Sequence, residues 1–231
     1  MEIMIKATYI NHMGDDLTVV NSARVSFGKQ SKLECIDMVK GKFILSVKDK
    51  KLIQYLAKHN HKSPFNHAFA TFHVKAPVFV ARQLVKHEYM PWNEISRRYV
   101  DSEPEFYEPD NWRGRSEDKK QGSTDEEVNP CDFYGFDSMA AAVNSFDGEQ
   151  LKLYNDMLVA GVAPEQARMV LPQSMMTEWY WSGSLFAFAK MCGLRLKDDS
   201  QYETRLVAEQ VEDVMMKLFP ASWEALRMYE E

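Results

Sequence analysis

Residues 82–98 read RQLVKHEYMPWNEISRR and place four cations, Arg82, Lys86, Arg97 and Arg98, beside His87 and the carboxylates of Glu88 and Glu94. Gln83, Asn93 and Ser96 add neutral donors and acceptors to the same stretch. Cations of this kind bind phosphate through charge-assisted hydrogen bonds, and arginine can grip it with a planar fork. The amides, Ser96 and Glu94 could read the edge of a heterocycle. The same residue types also build surface ion pairs worth only about 0–1 kcal/mol each, so the pattern alone leaves both readings open.

Other chemistries lack their signatures. His59, His61, His67 and His73 lie close in sequence, but no HExxH and no cysteine pairing accompanies them, so no metal site is expected. The chain contains no GxGxxG, no GxxxxGK[ST] and no GxSxG. Ser96 has no activating base in its sequence surroundings. Cys35, Cys131 and Cys192 are odd in number and widely spaced, which fits a reducing compartment and argues against a disulfide framework.

Elements must hold this stretch in place. Pro77 suits a first helical position, and helical spacing follows through VFVARQLVKHEY. On such a helix Arg82 and Lys86 share one face and Gln83 and His87 the next. Pro91 disfavours helical geometry at Met90, so the helix is expected to stop near Glu88 or Tyr89, with NEISRRY extended or looping beyond it. Residues 69–76 alternate as a strand. A first strand is expected in IMIKATYI, and helices in DDLTVVNSA and over 48–59, where Leu52, Ile53, Leu56 and Ala57 share a face.

The second half is more helical. GEQLKLYNDMLVAG should end at Gly161, PEQARMVL should form a short helix before Pro172, and QSMMTEWYW should be a strand. SLFAFAKMCGL should be a buried helix ending at Gly193. The aromatic run from 179 to 188 suits a core better than a cofactor box. Ser200 and Glu203 make a capping-box pattern before a helix that Pro220 terminates, and a last short helix carries Trp223 and Leu226. The fold class expected is mixed α/β (α+β), one domain over 1–231 with a central sheet flanked by helices. Residues 101–130 are expected to be a long surface loop within it.

The 231 residues suffice for one large core, with 45% hydrophobic and 27% charged residues. A formal net charge of −6 argues against general nucleic-acid binding and makes any anion site a local basic pocket. No secretory signal or membrane-length apolar run is visible, so a cytoplasmic protein is the default expectation.

The chain resembles the flavin-dependent thymidylate synthases. Their signature is Arg-His-Arg, seven residues, then Ser, and here Lys86-His87-Glu88 is followed by seven residues and Ser96. FHVKAPVFVARQ, NEISRRY, SARVSF, HNHKSPFNH, EFYEP, DKKQGS, GVAPEQARMVLP and GLRL are similar to family segments in family order. The resemblance implies an α/β homotetramer binding FAD and dUMP where subunits meet. It also implies conversion of dUMP to dTMP with methylenetetrahydrofolate as one-carbon donor and NADPH as reductant, without a cysteine nucleophile.

Carried over by position, Gln83, Lys86, Glu94, Ser96, Arg97, Arg98 and Arg168 are expected on the dUMP side, Arg168 reaching from a neighbouring subunit. Arg195 matches the arginine that activates the pyrimidine by favouring its N3-ionised form. Ser26, His61, Ser63, Lys86, His87, Glu88, Asn93, Glu94, Ser184 and Lys190 fall on cofactor-side positions. Departures cluster there: Lys86 and Glu88 replace arginines, Ser184, Phe186 and Lys190 replace the family's Asn, Arg and Asn, and Asn66 replaces an acidic residue. One reading is a rewired cofactor pocket in which Lys190 supplies the cation that Glu88 removes. Others are a different carbon-5 product, such as a hydroxymethyl nucleotide, or a nucleotide-binding paralogue without turnover.

Overall fold

The structure is a computed structural model that describes residues 4–38, 40–100, 102–117, 122–128, 130 and 132–229. Cys131, the start of the expected first strand and most of DKKQGS lie outside the described residues. The strands are β1 (Lys6–Met13), β2 (Glu34–Asp37), β3 (Lys42–Ile44), β4 (Phe69–Pro77), β5 (Trp92–Glu94), β6 (Arg113–Arg115), β7 (Ser123–Glu127) and β8 (Met176–Ser184). The helices are α1 (Asp16–Arg24), α2 (Val47–Lys58), α3 (Val78–Leu84), α4 (Met139–Val159), α5 (Pro164–Ala167), α6 (Leu185–Arg195), α7 (Tyr202–Leu218) and α8 (Pro220–Met228).

Strict alternation in FATFHVKAP makes β4 the centre of a four-stranded antiparallel sheet with order β1-β4-β8-β5. Ala70, Phe72, Val74 and Ala76 of β4 point inward with Trp179 and Trp181 of β8. They pack with Phe188 and Trp223 from the helices and with Phe219 between α7 and α8, so one sheet face and α3, α6 and α7 enclose the core. The opposite face is polar. There Thr71 and Ser182 hydroxyls meet at 2.9 Å, and His73 Nε2 lies 3.0 Å from Glu178 Oε2. His73 is thus engaged by a carboxylate on a neighbouring strand.

Gly183 allows the closest approach in this core. A Cβ there would stand 2.9 Å from Met90 Cε and 3.2 Å from Phe188 Cε2, so only hydrogen lets the chain after α3 cross β8.

Several boundaries differ from expectation. α3 stops at Leu84, so the stripe of Arg82, Gln83, Lys86 and His87 does not continue along one helix. Val85 N donates to Ala81 O, His87 N turns to Leu84 O at 3.1 Å, and Tyr89 enters the left-handed region with φ 58°. The helix therefore ends four to five residues before Glu88 or Tyr89, well outside the reach of Pro91, which restricts only Met90. α6 runs through Gly193 to Arg195, and Leu196 N still donates to Cys192 O at 2.8 Å, so the glycine does not end the helical hydrogen bonding. β8 begins at Met176, later than QSMMTEWYW implies, since Met175 N first closes a turn on Pro172 O. α4 begins at Met139 behind an Ser138 N-cap and ends, as read, before Gly161, whose φ is 87°. Residues 101–130 contain the β6–β7 hairpin.

The Ser200–Glu203 capping box does not form. Gln201 occupies the N-cap position without a side-chain cap bond, and Ser200 Oγ has no partner among the described residues. Arg113 and Gln201 claim the Glu203 carboxylate instead, and a charged partner outcompetes a lone backbone N–H.

Candidate functional site

The helix that follows β8 carries the decisive side chains. Ser184 Oγ caps α6 by accepting from Ala187 N at 3.1 Å and donates to Asn66 Oδ1 at 2.7 Å. Leu185, Phe188, Ala189 and Cys192 turn inward at helical spacing. The other stripe, Phe186, Lys190 and Leu194, faces a cleft of about 750 Å³. Arg195 closes that stripe in the last turn, where the helix dipole favours a cation.

The opposite wall is the turn after α3. Lys86, His87, Glu88 and Tyr89 line it, with Lys62, Asn66 and Phe69 at its side. Arg195 Nε donates to His87 Nε2 at 3.1 Å, and Arg195 Nη2 donates to the Gln83 carbonyl at 3.2 Å. The guanidinium is therefore fixed by two acceptors contributed by the segment after β4. Burial pulls the Arg195 pKa down, yet guanidinium remains cationic at any physiological pH.

His87 is the neutral member of the pair. Burial first, then the Arg195 and Lys190 charges, lowers its pKa from 6.5 to about 4. Its Nε2 is then free to accept, which leaves the proton on Nδ1. An imidazole held neutral orients the arginine without adding a further positive charge.

The other residues singled out in the sequence fall into four places. Ser26, His61 and Ser63 line a second cleft of about 650 Å³, and Lys62 lines both clefts. Asn93 and Glu94 sit exposed on β5 at the sheet edge, where Glu94 accepts from Thr177 Oγ1 at 2.7 Å and Trp92 Nε1 at 3.0 Å. Ser96, Arg97 and Arg98 follow in a turn in which Ser96 Oγ accepts from Arg98 N at 3.3 Å and Arg97 donates to the Ser102 carbonyl. Arg168 stands exposed on the single 3-10 turn after α5, its Nε donating to Glu165 O at 3.3 Å.

One chain thus brings Lys86, His87, Glu88, Ser184, Lys190 and Arg195 together, while Glu94, Ser96, Arg97, Arg98 and Arg168 do not line the cleft of Arg195. Gln83 joins the first group through its backbone carbonyl, and its side chain donates to Gln201. Sequence reading did not single out Lys62, although it stands inside HNHKSPFNH, nor Tyr89, whose backbone conformation has no local signal. Gln201 and Arg113 were equally silent, because their partners lie far away in sequence. Burial raises the Cys192 thiol pKa strongly, so that thiol is no nucleophile at neutral pH. Among the described residues no group of three or more His, Cys, Asp or Glu could hold a metal ion. No helix of the described residues is long and apolar enough to cross a membrane.

Comparison with known proteins bears on this arrangement. The family model described as thymidylate synthase complementing protein matches residues 8–221. The chain is 36% identical over 220 residues to a flavin-dependent thymidylate synthase of Thermus thermophilus, covering 94% of this chain and 73% of that one. It is 36% identical over 217 residues to a flavin-dependent thymidylate synthase of Thermosipho africanus, covering 94% and 88%. The fold is similar to the crystal structure of a UMP/dUMP methylase, PolB from Streptomyces cacaoi, bound with 5-Br dUMP. That match has a TM-score of 0.77 and 29% identity over 97% of this chain and 95% of the other.

Proposed function

The chain belongs to the thymidylate synthase complementing protein family, the flavin-dependent thymidylate synthases, and from this membership we propose that it methylates carbon 5 of dUMP to give dTMP. The observation that carries the reading is the fixed Arg195 guanidinium, held by His87 and the Gln83 carbonyl at the mouth of a cleft flanked by lysines. Methylenetetrahydrofolate is the one-carbon donor in this reading and NADPH the reductant.

The donor set fits FAD. Lys62, Lys86 and Lys190 offer three ammonium groups to a pyrophosphate, and Phe69, Phe186 and Tyr89 offer apolar surface to a flat ring system. Asn66 and Ser184 add neutral polar groups. Ser26, His61 and Ser63 extend the surface through the adjoining cleft that shares Lys62. When bound, FAD supplies the reducing equivalents that convert the transferred one-carbon unit to a methyl group.

The work of this chain is to bind, orient and stabilise charge. Arg195 holds the pyrimidine and favours its N3-ionised form, because a fixed cation stabilises the negative charge that develops on the ring. A preorganised donor of this kind contributes about 2.7–4 kcal/mol to barrier lowering. Neutral His87 keeps the guanidinium from rotating and takes no proton at neutral pH. The dUMP phosphate is gripped by Arg97, Arg98, Ser96 and Arg168, with Glu94 and Gln83 reading the remainder of the nucleotide. Glu94, Ser96, Arg97, Arg98 and Arg168 do not line the Arg195 cleft of their own chain, so in this reading a second copy supplies them, as active sites between subunits of a homotetramer require, while Gln83 comes from the same chain as Arg195.

A second reading concerns the sugar. The structural neighbour is named as acting on UMP as well as dUMP, so the ribonucleotide is a rival substrate here. Incubating the full chain with dUMP or UMP, methylenetetrahydrofolate, NADPH and FAD, then weighing the nucleotide product, tests both readings. A gain of one methylene unit on dUMP is the expected result. A hydroxymethyl product, or none despite bound flavin, overturns it and makes Lys86 and Glu88 markers of altered chemistry.

A further inference from the structure

Glu203, in the first turn of α7, is 5% exposed and fully engaged. Its Oε1 is ion-paired with Arg113 of β6, and its Oε2 accepts from Gln201 Nε2 at 3.1 Å. Gln201 Oε1 in turn accepts from Gln83 Nε2 on α3. Arg113 is itself held in place, donating from Nε to Ser123 Oγ at 2.9 Å and lying 4.1 Å over the Tyr202 ring.

The polarity of this series follows from chemistry. An ion-paired carboxylate only accepts, whereas each amide has one donating and one accepting end. Gln201 must therefore turn its Nε2 to Glu203 and its Oε1 to Gln83. Gln83 can meet an oxygen only with its own Nε2. Exchanging the two ends of either glutamine would set acceptor against acceptor, leaving a poorly solvated oxygen without a donor. The orientation of Gln83 is thus set two residues away, by a carboxylate anchored to the β6–β7 hairpin. Its Oε1 takes no hydrogen bond from the described residues, and its backbone carbonyl receives Arg195 Nη2.

Resting on the nucleotide reading of Gln83 above, we propose that Glu203 and Gln201 are positioning residues that hold the Gln83 amide with its carbonyl oxygen toward a hydrogen-bond donor of the nucleotide. Neither residue needs to touch the ligand. Together they decide which end of an otherwise ambiguous amide the ligand meets, and they tie that choice to the hairpin through Arg113.

Calorimetric titration of dUMP into the full-length protein tests the functional part. E203Q and Q201A should each weaken binding about fivefold to thirtyfold, the range for losing one such hydrogen bond. The double variant should be no weaker than the worse single one, because both act through the same amide. Unchanged affinity, or losses that multiply, overturns the proposal. Urea denaturation tests the relay without any ligand. Q83E should destabilise by setting two acceptors face to face, and adding E203Q should recover stability by letting the series run in reverse. That recovery should vanish in a Q201A background. Its persistence there would mean simple repulsion between positions 83 and 203, and the relay is wrong. If the wild type fails to bind dUMP, the nucleotide reading falls, while the urea experiment still decides the relay.

Discussion

Replacing His87 by phenylalanine isolates the role assigned to a neutral imidazole. The ring volume beside Trp181, 6.5 Å away between centroids, is kept, but the acceptor for Arg195 Nε is removed. A hydrogen bond from a charged donor contributes about 1.5–3 kcal/mol, and the lower figure suits a partly exposed ring. At pH 7 the variant should therefore be less stable by about 1.5 kcal/mol.

Acid narrows that gap in a calculable way. The folded pKa of about 4 lies below the unfolded value of 6.5, so between them the unfolded chain holds a proton that the folded protein refuses. Wild-type stability consequently falls as pH drops through 6.5 toward 4. From pH 7 to pH 5 the linkage amounts to about 1.8 kcal/mol for a fully shielded ring, and about 1 kcal/mol once solvent screening is allowed for. Phenylalanine carries no such proton, and every other titrating group is common to both proteins. Urea denaturation of both at pH 7 and pH 5, at one fixed protein concentration, should show the difference shrink from about 1.5 to about 0.5 kcal/mol. An equal gap at both pH values would refute the reasoning, since His87 would then titrate alike in both states.

Arg195→Lys keeps the charge and loses both bonds to His87 and Gln83, so kcat for dUMP methylation should fall about 10²–10³-fold in a steady-state assay. Glu88→Ala and Lys190→Ala, on facing walls of one cleft, should combine non-additively in FAD affinity by about 0.5 kcal/mol or more; a fluorescence titration giving strictly additive losses would end the idea of a compensating pair. Asp16→Ala removes the acceptor for Ala221 N and Ser222 N, both 2.9 Å away, which should cost about 1–2 kcal/mol in thermal unfolding, with an unchanged midpoint counting against a cap role. Gly183→Ala forces a methyl against Met90 and Phe188 and should destabilise by about 1–3 kcal/mol, measured by urea denaturation.

Periodicity made much of the fold legible before any coordinates. The alternation of Ala70, Phe72, Val74 and Ala76 marks β4, and the helical spacing of Leu185, Phe188, Ala189 and Cys192 marks α6. These patterns are local consequences of a buried face, so composition and spacing suffice to read them. The order of short family segments likewise pointed to Arg195, His87 and Lys86 as candidate site residues, because those positions sit in motifs of fixed spacing, and the structure brings the three to one cleft. That any anion site on this acidic chain must be a local basic pocket was equally readable from charge alone.

What local pattern could not decide was competition between partners distant in sequence. Ser200 and Glu203 spell a capping box, but Arg113, ninety residues away, takes the carboxylate instead. α3 should have carried Lys86 and His87 as a continuing stripe, yet the chain leaves the helix at Leu84 and passes through Tyr89 in the left-handed region before crossing β8 beside Gly183. That early exit is what aims His87 at Arg195, on a helix more than a hundred residues later. The residue types that could do chemistry were determined by the sequence; which of them meet was decided only by packing, because hydrogen-bond partners are chosen by proximity in the folded core.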